Sequence, residues 1–258
     1  MRAPTHVIGD VHGHKDALLR LLSGAGLITD GHWSGGKAWL LLMGDLFNRG
    51  PDGLGVLELI MTLQVEAAEA GGWVETLVGN HDVLLLAAHR FGDQRGRSKL
   101  FKEYWHGAGG ILSDLEGLTP EHVAWLSTRP ALLLSEDDKP ILYLHADAML
   151  YETLGKRVNA VNQNLTAILQ GDDWNAWNAL LEAFSEHEAF WQPGGKAKAR
   201  RLLKQYGGTR LVHAHTPVSK LTRRPDRTVT APLHYLGGLC TDIDPALYRG
   251  GPGFVYRP

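Results

Sequence analysis

The chain has 258 residues, 44% of them hydrophobic and 21% charged, and its formal net charge is -2. These values are ordinary for a globular protein, and the near-zero charge excludes a general electrostatic attraction to nucleic acid or an anionic membrane. The single cysteine, Cys240, excludes an internal disulfide framework. The start has no apolar leader and no run reaches membrane-spanning length, so we expect a cytoplasmic protein.

Short apolar runs alternate with amphipathic segments along the amino-terminal part of the chain. Strands are predicted over 4–9, 38–43 and 73–79, and helices over 14–22, 52–70 and 81–89, with the glycine-rich stretch 31–36 as a loop. This order predicts parallel strands with right-handed crossovers, which is the pattern of an α/β fold.

The rest of the chain mixes both kinds of element without a composition break. A polar connection over 92–99 is followed by short helices over 100–105 and 120–126, strands over 131–134 and 141–144, and a helical region of about 151–206. The tail from 228 to 256 alternates like antiparallel strands. We therefore predict one domain over residues 1–258.

Side chains that can bind metal follow five of the apolar strands. They are Asp10 and His12, Asp45, Asn80, His145, and His215. Open α/β sheets bind ligands at the carboxyl ends of their strands, so we expect these side chains to meet. Two carboxylates, one amide oxygen and three imidazoles suit a divalent transition ion better than calcium.

Six ligands are too many for one open catalytic ion, but they suffice for two ions if one carboxylate bridges. Two such ions can clamp the attacking and leaving oxygens of a phosphoryl displacement, and a hydroxide bridging them would be the nucleophile. Manganese is the first choice for both ions, with iron, zinc, cobalt or nickel as alternatives.

Five motifs carry a resemblance to a known family. They are GDVHGH (9–14), GDLFNRGP (44–51), GNHD (79–82), LHAD (144–147) and HAHTPV (213–218). In this order they resemble the calcineurin-like metallophosphoesterases, in particular the phosphoprotein-phosphatase branch. Within that branch the chain is similar to the bacterial Shewanella-like phosphatases and the symmetrical dinucleoside tetraphosphatases. The resemblance implies a sandwich of two mixed β-sheets flanked by helices, with a helical cap inserted over about 151–206.

The resemblance also implies a role for each matching residue. Asp10 and His12 would hold the first metal, Asp45 would bridge, and Asn80, His145 and His215 would hold the second metal. Arg49 would bind the substrate phosphate through a charge-assisted contact. His81 would protonate the leaving oxygen as general acid, with Asn48 as the partner that orients its ring.

The chain departs from the family pattern at three places. Asn48 stands where the family usually has aspartate, and Val78 stands where many relatives carry a second phosphate-binding arginine. His213 precedes His215, so either histidine could be the last ligand. We assign the metal to His215, because a Thr-Pro pair follows it as in the branch motif.

Other features are open to a structural or a functional interpretation. His14 and Asp82 are interpreted as helix-start residues. An apolar stripe runs along the predicted helical region 151–206; its members are Trp174, Trp177, Leu181, Phe184 and Trp191. We interpret it as helix core in preference to a base-stacking platform. Basic side chains that could replace the missing arginine are Lys196, Lys198, Arg200, Arg201 and Lys204, and less favourably Arg95 and Arg97.

The function predicted from these features is dimetal-dependent hydrolysis of phosphate monoesters, with a phosphoprotein as the first choice of substrate. The alternatives are hydrolysis of a dinucleoside polyphosphate and, from another class, a catalytically weak regulatory protein with the same fold. We expect a phosphorylated substrate as partner, no membrane and no nucleic acid. The sequence does not indicate an oligomeric state.

Overall fold

A computed structural model of the chain describes residues 3–92 and 99–258, in which short strands alternate with helices. The strands are, in chain order, β1 (His6–Ile8), β2 (Ile28–Thr29), β3 (His32–Trp33), β4 (Trp39–Leu42), β5 (Trp73–Thr76), β6 (Leu132–Leu134), β7 (Ile141–Leu144), β8 (Arg210–His213), β9 (Leu233–Tyr235) and β10 (Cys240–Asp242). The α-helices are α1 (Lys15–Gly24), α2 (Gly53–Glu69), α3 (Asn80–Phe91), α4 (Lys99–Gly107), α5 (Leu112–Glu116), α6 (Pro120–Leu126), α7 (Tyr151–Leu154), α8 (Val158–Gln170), α9 (Trp174–Phe184), α10 (Gly195–Tyr206) and α11 (Val218–Thr222).

The main strands form two sheets, and β2 pairs with β3 in a small hairpin. The first sheet has the order β1-β4-β5 with parallel neighbours, and Val7 makes an antiparallel bridge to Tyr256 at its edge. The second sheet has the order β6-β7-β8-β10-β9 and is mixed. In it β7, β8 and β10 run parallel, while β6 and β9 run antiparallel at the two edges.

Alternate side chains of the strands belong to two different buried apolar clusters. Val7 and Leu41 from the first sheet share one apolar cluster with Tyr143 and Val212 from the second. Their sequence neighbours Ile8, Leu40 and Leu42 belong to the larger cluster that contains the helices. Successive side chains point to opposite faces of a strand, so each sheet has one face toward the other sheet and one toward helices. The predicted α/β sandwich is confirmed.

Capping residues set the limits of the long helix α2. The side chain of Asp52 accepts a hydrogen bond from the Gly55 amide at 2.8 Å, which satisfies one of the free N–H groups at the helix start. After α2 the chain passes through Gly71, whose φ of 76° is costly for residues with a side chain. The helix predicted over 52–70 is therefore confirmed within a residue at each end.

Two sequence predictions about secondary structure are wrong in part. The stretch 31–36 was expected to be a loop, but His32 and Trp33 form β3, because the turn at 30–31 brings them back onto Ile28 and Thr29. The tail 228–256 was expected to be antiparallel throughout, but β10 inserts between β8 and β9 and pairs parallel with β8. An alternating pattern of apolar and polar residues does not indicate with which strand a segment pairs, or in which direction.

The segment 151–206 contains the four helices α7–α10. The side chains of Trp177 and Phe184 are fully buried, and the Phe184 ring lies 6.2 Å from the ring of His145. Trp191, in contrast, is 42% exposed and contacts Tyr235, so the apolar stripe is core only as far as Phe184. The polar connection 92–99 and the pair Arg95 and Arg97 fall largely outside the described residues. No helix in the described parts of the chain is long and apolar enough to cross a membrane.

Candidate metal centre

The predicted ligands lie where parallel strands of the two sheets end. Asp10 and His12 follow β1, and Asp45 follows β4, three residues after its last residue and directly after Gly44. Asn80 opens α3 after β5, while His145 and His215 follow β7 and β8. The carboxyl ends of these strands face one another across the sandwich, which brings six residues from distant parts of the sequence into one group, with Asn80 half-buried and the other five buried.

The backbone around this group adopts unusual conformations. Positive φ angles occur at His12 (48°), Asp45 (51°), Asn48 (67°), Arg49 (70°) and His215 (69°). Each such residue costs of order 1–3 kcal/mol, and it persists only where its surroundings hold it. Concentration of this strain at one end of the strands is typical of a functional site.

Asp82 is one of the groups that hold this backbone. Its fully buried carboxylate accepts the N–H groups of Asp45 at 3.0 Å, Leu46 at 2.8 Å and Gly79 at 2.9 Å. The bond to Gly79 fits the predicted role of Asp82 at the start of α3. The other two bonds tie α3 to the loop that carries Asp45, so Asp82 also fixes the position of a predicted ligand.

One group of donor atoms surrounds the Asn80 side chain. Its Oδ1 lies 2.9 Å from Nδ1 of His215 and 3.1 Å from Nε2 of His145, and that Nε2 lies 3.5 Å from Oδ1 of Asp45. Ligands bound at about 2.0–2.2 Å to one transition ion lie about 3.0–3.5 Å from one another. The spacing of these four side chains therefore fits a single ion.

A second group of donor atoms lies on the other side of Asp45. Nε2 of His12 is 3.6 Å from Oδ2 of Asp45 and 3.9 Å from Oδ2 of Asp10. The two carboxylate oxygens of Asp45 thus face different groups, Oδ1 toward His145 and Oδ2 toward His12. This is the arrangement expected of a carboxylate that bridges two ions.

Backbone carbonyl groups fix the tautomers of two of the histidines. Nδ1 of His12 donates to the Phe47 carbonyl at 3.0 Å, and Nδ1 of His145 donates to the Met43 carbonyl at 2.8 Å. A neutral ring that carries its proton on Nδ1 presents a lone pair at Nε2. Both Nε2 atoms face the donor groups just described, as ligating histidines do when a second bond orients them.

Three buried carboxylates lie close together in this region. Keeping all three ionised is energetically costly unless a positive charge lies beside them. Burial raises the pKa of Asp10 well above its usual range, and the neighbouring carboxylates of Asp244 and Asp45 raise it further. Burial likewise raises the pKa of Asp45 and of Asp244 to about 7. Both oxygens of Asp10 and one of Asp244 lack a hydrogen-bond partner among the described residues. Buried acceptors of this kind fit divalent cations, which would satisfy the oxygens and offset their charge.

Arg49 lies at the exposed side of the group. Its guanidinium donates to Nε2 of His12 at 3.0 Å and to Nε2 of His81 at 2.8 Å. Asn48 lies behind His81, with its amide nitrogen 2.9 Å from Nδ1 of that ring. Burial, and then the charges of His12 and Arg49, lower the pKa of His81 well below its usual value. The structure thus brings all nine predicted site residues together, with His81 neutral.

Comparison with known proteins gives the family to which this site belongs. The model of the calcineurin-like phosphoesterase family matches residues 3–219. The chain belongs to that family. A symmetrical bis(5'-nucleosyl)-tetraphosphatase of Legionella pneumophila (strain Corby) is 33% identical over 69% of this chain, and the match covers 56% of the Legionella protein. The chain therefore spans little more than half the length of that relative.

Two further relatives have names that state different activities. A symmetrical bis(5'-nucleosyl)-tetraphosphatase of Escherichia coli O17:K52:H18 (strain UMN026 / ExPEC) is 30% identical over 89% of this chain and 73% of its own length. A Shewanella-like protein phosphatase 2 of Arabidopsis thaliana is 36% identical over 30% of this chain and 20% of its own length. Both resemblances named from the sequence, to the family and to these two groups, are confirmed.

Two solved structures share the fold of this chain. The cold-active protein-tyrosine phosphatase of a psychrophilic Shewanella species matches 96% of this chain and 73% of its own chain with a TM-score of 0.70 and 22% identity. A putative diadenosine tetraphosphatase matches 97% of this chain and 91% of its own chain with a TM-score of 0.52 and 18% identity. At these identities the two structures support the calcineurin-like fold and leave the substrate open.

The two histidines at the end of β8, His213 and His215, have different surroundings. Nδ1 of His213 donates to its neighbouring carbonyl on Ala214 at 3.0 Å, and Nε2 accepts from the Tyr235 hydroxyl at 2.7 Å. Both ring nitrogens of His213 are therefore engaged in hydrogen bonds. His215 faces Asn80 and is the histidine that we retain as the proposed ligand.

Three of the described positions that bear on a second phosphate-binding cation have other surroundings. Val78 is fully buried in the apolar core. On α10, Lys198 pairs with Glu186 at 3.4 Å, and Arg201 pairs with Glu152 at 2.8 Å. These two basic side chains are thus held in surface ion pairs.

Three residues near the centre were not assigned from the sequence. Asp244 adds a carboxylate beside Asp10, and Tyr248 lies under Arg49 with its ring centroid 4.1 Å from the guanidinium carbon. The ring of His187 stacks on that of His215, with centroids 4.0 Å apart. The pair of aspartates in the tail was a visible signal for Asp244. Nothing local in the sequence indicates the other two.

Proposed function

We propose that this phosphoesterase hydrolyses phosphate monoesters at a centre of two divalent transition-metal ions, preferably manganese. The observation that carries the proposal is the orientation of Asp45, whose two oxygens face two separate groups of donor atoms. Asp10 and His12 would hold one ion, and Asn80, His145 and His215 would hold the other. When bound, the two ions would supply Lewis acidity and an activated water for an in-line displacement at phosphorus.

The remaining predicted residues suit work on the phosphate itself. Arg49 is exposed, and its guanidinium reaches both His12 and His81, so it can move onto a phosphate that enters beside them. Two parallel N–H groups on one guanidinium match two phosphate oxygens. His81 lies next to Arg49, where a proton on Nε2 would point toward the leaving oxygen.

The proton on His81 has to be stabilised by the bound substrate. Arg49 and the buried surroundings disfavour the charged ring, while a phosphate dianion placed between Arg49 and His81 would offset both effects. Asn48 can accept a hydrogen bond from Nδ1 once its amide oxygen is turned toward the ring, because the two ends of an amide are nearly the same size. The proposed acid therefore operates with a neutral partner.

The first candidate substrate is a phosphoprotein, as predicted from the resemblance to the phosphoprotein-phosphatase branch. The second candidate is a dinucleoside polyphosphate. It is favoured by the Legionella and Escherichia relatives, both named as symmetrical bis(5'-nucleosyl)-tetraphosphatases. The two reactions use the same centre and differ in what is attached to the attacked phosphate.

The test uses the chain stripped of metal and reloaded with Mn²⁺. Hydrolysis of p-nitrophenyl phosphate that requires the metal supports the proposed activity. Product analysis with diadenosine tetraphosphate, a phosphoserine peptide and a phosphotyrosine peptide then ranks the substrates by kcat/KM. Absence of turnover on all four compounds, in a sample shown by elemental analysis to hold two ions, would contradict the proposal and favour a regulatory protein of this fold.

A further inference from the structure

A cavity of about 330 Å³ adjoins the proposed metal centre. It lies between the three helices α3, α4 and α9. Its lining residues are Asn80 and Leu84 from α3, Phe101 and Tyr104 from α4, Asn178, Leu181 and Glu182 from α9, and Ser185 directly after α9. Its volume lies at the lower end of the range for small-molecule sites. Because Asn80 is also a proposed metal ligand, a group bound in this cavity would be attached close to the reacting phosphate.

One wall of the cavity is aromatic. Phe101 is buried and held by Phe91 and Trp174, whose ring centroids lie 5.5 Å and 5.4 Å away. Tyr104 follows one helical turn later, and 57% of its surface is exposed. A rigid buried ring beside an exposed one provides a surface on which a flat ligand ring can stack.

The α9 wall combines the apolar side chain of Leu181 with polar groups that include hydrogen-bond acceptors. Nδ2 of Asn178 donates to Oε1 of Glu182 at 2.7 Å, which leaves the amide oxygen of Asn178 and Oε2 of Glu182 as acceptors. The hydroxyl of Ser185 donates to the Glu182 carbonyl at 2.6 Å. Lys, Arg and His side chains are not among the cavity's described lining residues.

This combination selects among the groups that a phosphate compound can carry. The Glu182 carboxylate repels a second phosphate, so the phosphates of a substrate belong on the Arg49 side. A tyrosyl ring fits the aromatic wall but has no donor for the acceptors opposite. Adenine, guanine and cytosine each have both a flat face and N–H groups on an exocyclic amine.

We propose that the cavity between α3, α4 and α9 is the subsite for a nucleobase with an exocyclic amino group. The base stacks on Tyr104 and donates to Glu182 and Asn178, while its phosphate chain extends past Asn80 to the centre. The inference rests on the proposed phosphoesterase activity and deepens it, because it ranks nucleotides, including dinucleoside polyphosphates, above the phosphoprotein that the resemblance placed first.

The experiment compares Tyr104→Ala with wild type on diadenosine tetraphosphate, a phosphoserine peptide and a phosphotyrosine peptide. Stacking of a base on an aromatic side chain is lost in the variant, so kcat/KM for diadenosine tetraphosphate should fall about 5- to 100-fold. The two peptides should change less than about twofold, since neither carries a base. Glu182→Gln should also lower kcat/KM for the dinucleotide selectively.

Matched controls are Leu112→Ala, which removes another exposed apolar side chain, and Glu69→Gln, which neutralises an exposed glutamate on α2. Both should behave as wild type. Calorimetry measures binding of adenosine 5'-monophosphate without turnover, and this binding should weaken in Tyr104→Ala. A melting curve that matches that of wild type would show that the variant folds.

The outcomes separate this inference from the proposed activity. If wild type hydrolyses p-nitrophenyl phosphate but Tyr104→Ala affects all substrates equally, or none, the subsite is overturned and the activity stands. An equal loss on phosphotyrosine and dinucleotide would show a general aromatic site and would also overturn the assignment. If metal-loaded wild type turns over no phosphate compound, the activity itself fails.

Discussion

At the scale of single residues, Tyr248 determines where the guanidinium of Arg49 lies. The ring centroid of Tyr248 is 4.1 Å from the guanidinium carbon, and 4.9 Å from the ring of His12, which it meets edge-on. A cation over an aromatic face is stabilised by about 0.5–2 kcal/mol, depending on how far it is desolvated. Tyr248 therefore acts as a positioning residue for the proposed phosphate contact.

Replacing these two residues separately and together tests that role. Arg49→Ala removes a charge-assisted contact of roughly 1.5–3 kcal/mol and should lower kcat/KM about 10- to 100-fold. Tyr248→Ala should lower it about 2- to 30-fold, mainly through KM, and Tyr248→Phe should retain the wild-type value. In the Arg49→Ala background Tyr248→Ala should have no further effect. A full additional loss in that background would mean that Tyr248 acts independently of Arg49.

Asn48 is one of the residues at which this chain departs from the family pattern. Its amide lies against Nδ1 of His81 and lacks the negative charge that would stabilise a protonated ring. The amide oxygen Oδ1 has no hydrogen-bond partner within residues 3–92 and 99–258, so an acceptor atom already occupies that position. A carboxylate would fit the same space.

Asn48→Asp should therefore favour substrates that need a proton on the leaving oxygen. We expect the ratio of kcat for a phosphoserine peptide to kcat for p-nitrophenyl phosphate to rise several-fold, within the factor of about 10²–10⁴ that general acid catalysis supplies. Asn175→Asp, a change of the same type at an exposed position of α9 outside the cavity, is the control and should leave this ratio unchanged. If both substrates respond alike to Asn48→Asp, Asn48 does not tune His81.

At the scale of secondary structure elements, the short helix α5 supports the start of α2. Oδ1 of Asp114 in α5 accepts the Leu54 amide at 3.2 Å, at the end of α2 that follows the Arg49 loop. The Asp114 side chain is buried there, and burial raises its pKa from 3.8 to about 6. The sequence did not predict α5, whose five residues are too few for a periodic pattern.

The raised pKa of Asp114 predicts how stability depends on pH. Between about pH 4 and 6 the folded protein retains a proton on Asp114 that the unfolded chain releases, so this contribution to stability falls as pH rises through that window. Asp114→Asn does not titrate. The melting temperature of the variant relative to wild type should thus be higher at pH 7.5 than at pH 4.5, measured by calorimetry. Asp172→Asn, on an exposed loop, is the control, and its melting temperature relative to wild type should be the same at both pH values. A melting-temperature difference between Asp114→Asn and wild type that does not change with pH would contradict the expectation.

At the scale of the whole molecule, the centre joins the two sheets. Its residues come from the ends of β1, β4, β5, β7 and β8, and the bond from His145 to the Met43 carbonyl connects one sheet to the other. The buried carboxylates of Asp10, Asp45 and Asp244 repel one another at this junction. A bound cation would therefore stabilise the packing of the sheets as well as the site.

Metal binding should raise the thermal stability of the protein. An ion that binds only the folded state at 100 times its Kd adds about 2.7 kcal/mol, which corresponds to roughly 5–10 °C in melting temperature for a chain of this size. Addition of Mn²⁺ to metal-free protein should give such a rise, and Asp45→Asn should lose most of it, together with one or both ions in elemental analysis. Asp172→Asn should respond as wild type. Retention of two ions by Asp45→Asn would show that Asp45 does not bridge.

The sequence by itself determined the elements that lead into the site. Each apolar run that ends at a glycine or a polar ligand became a strand, and the order of strands and helices predicted the parallel pairing of β1, β4 and β5. These features follow from local signals, since burial of both strand faces requires a continuous apolar run and the chain must turn where that run stops. The residues at those turns could therefore be named before any contact was known.

Only the tertiary structure decided how the side chains at those turns are oriented and what surrounds them. The approach of Tyr248 to Arg49, the stacking of His187 on His215 and the cavity beside Asn80 join residues that are distant in sequence. The insertion of β10 next to β8 is of the same kind. Such contacts depend on how sheets and helices pack, and packing is set by the fit of many side chains at once, for which a linear pattern has no signal.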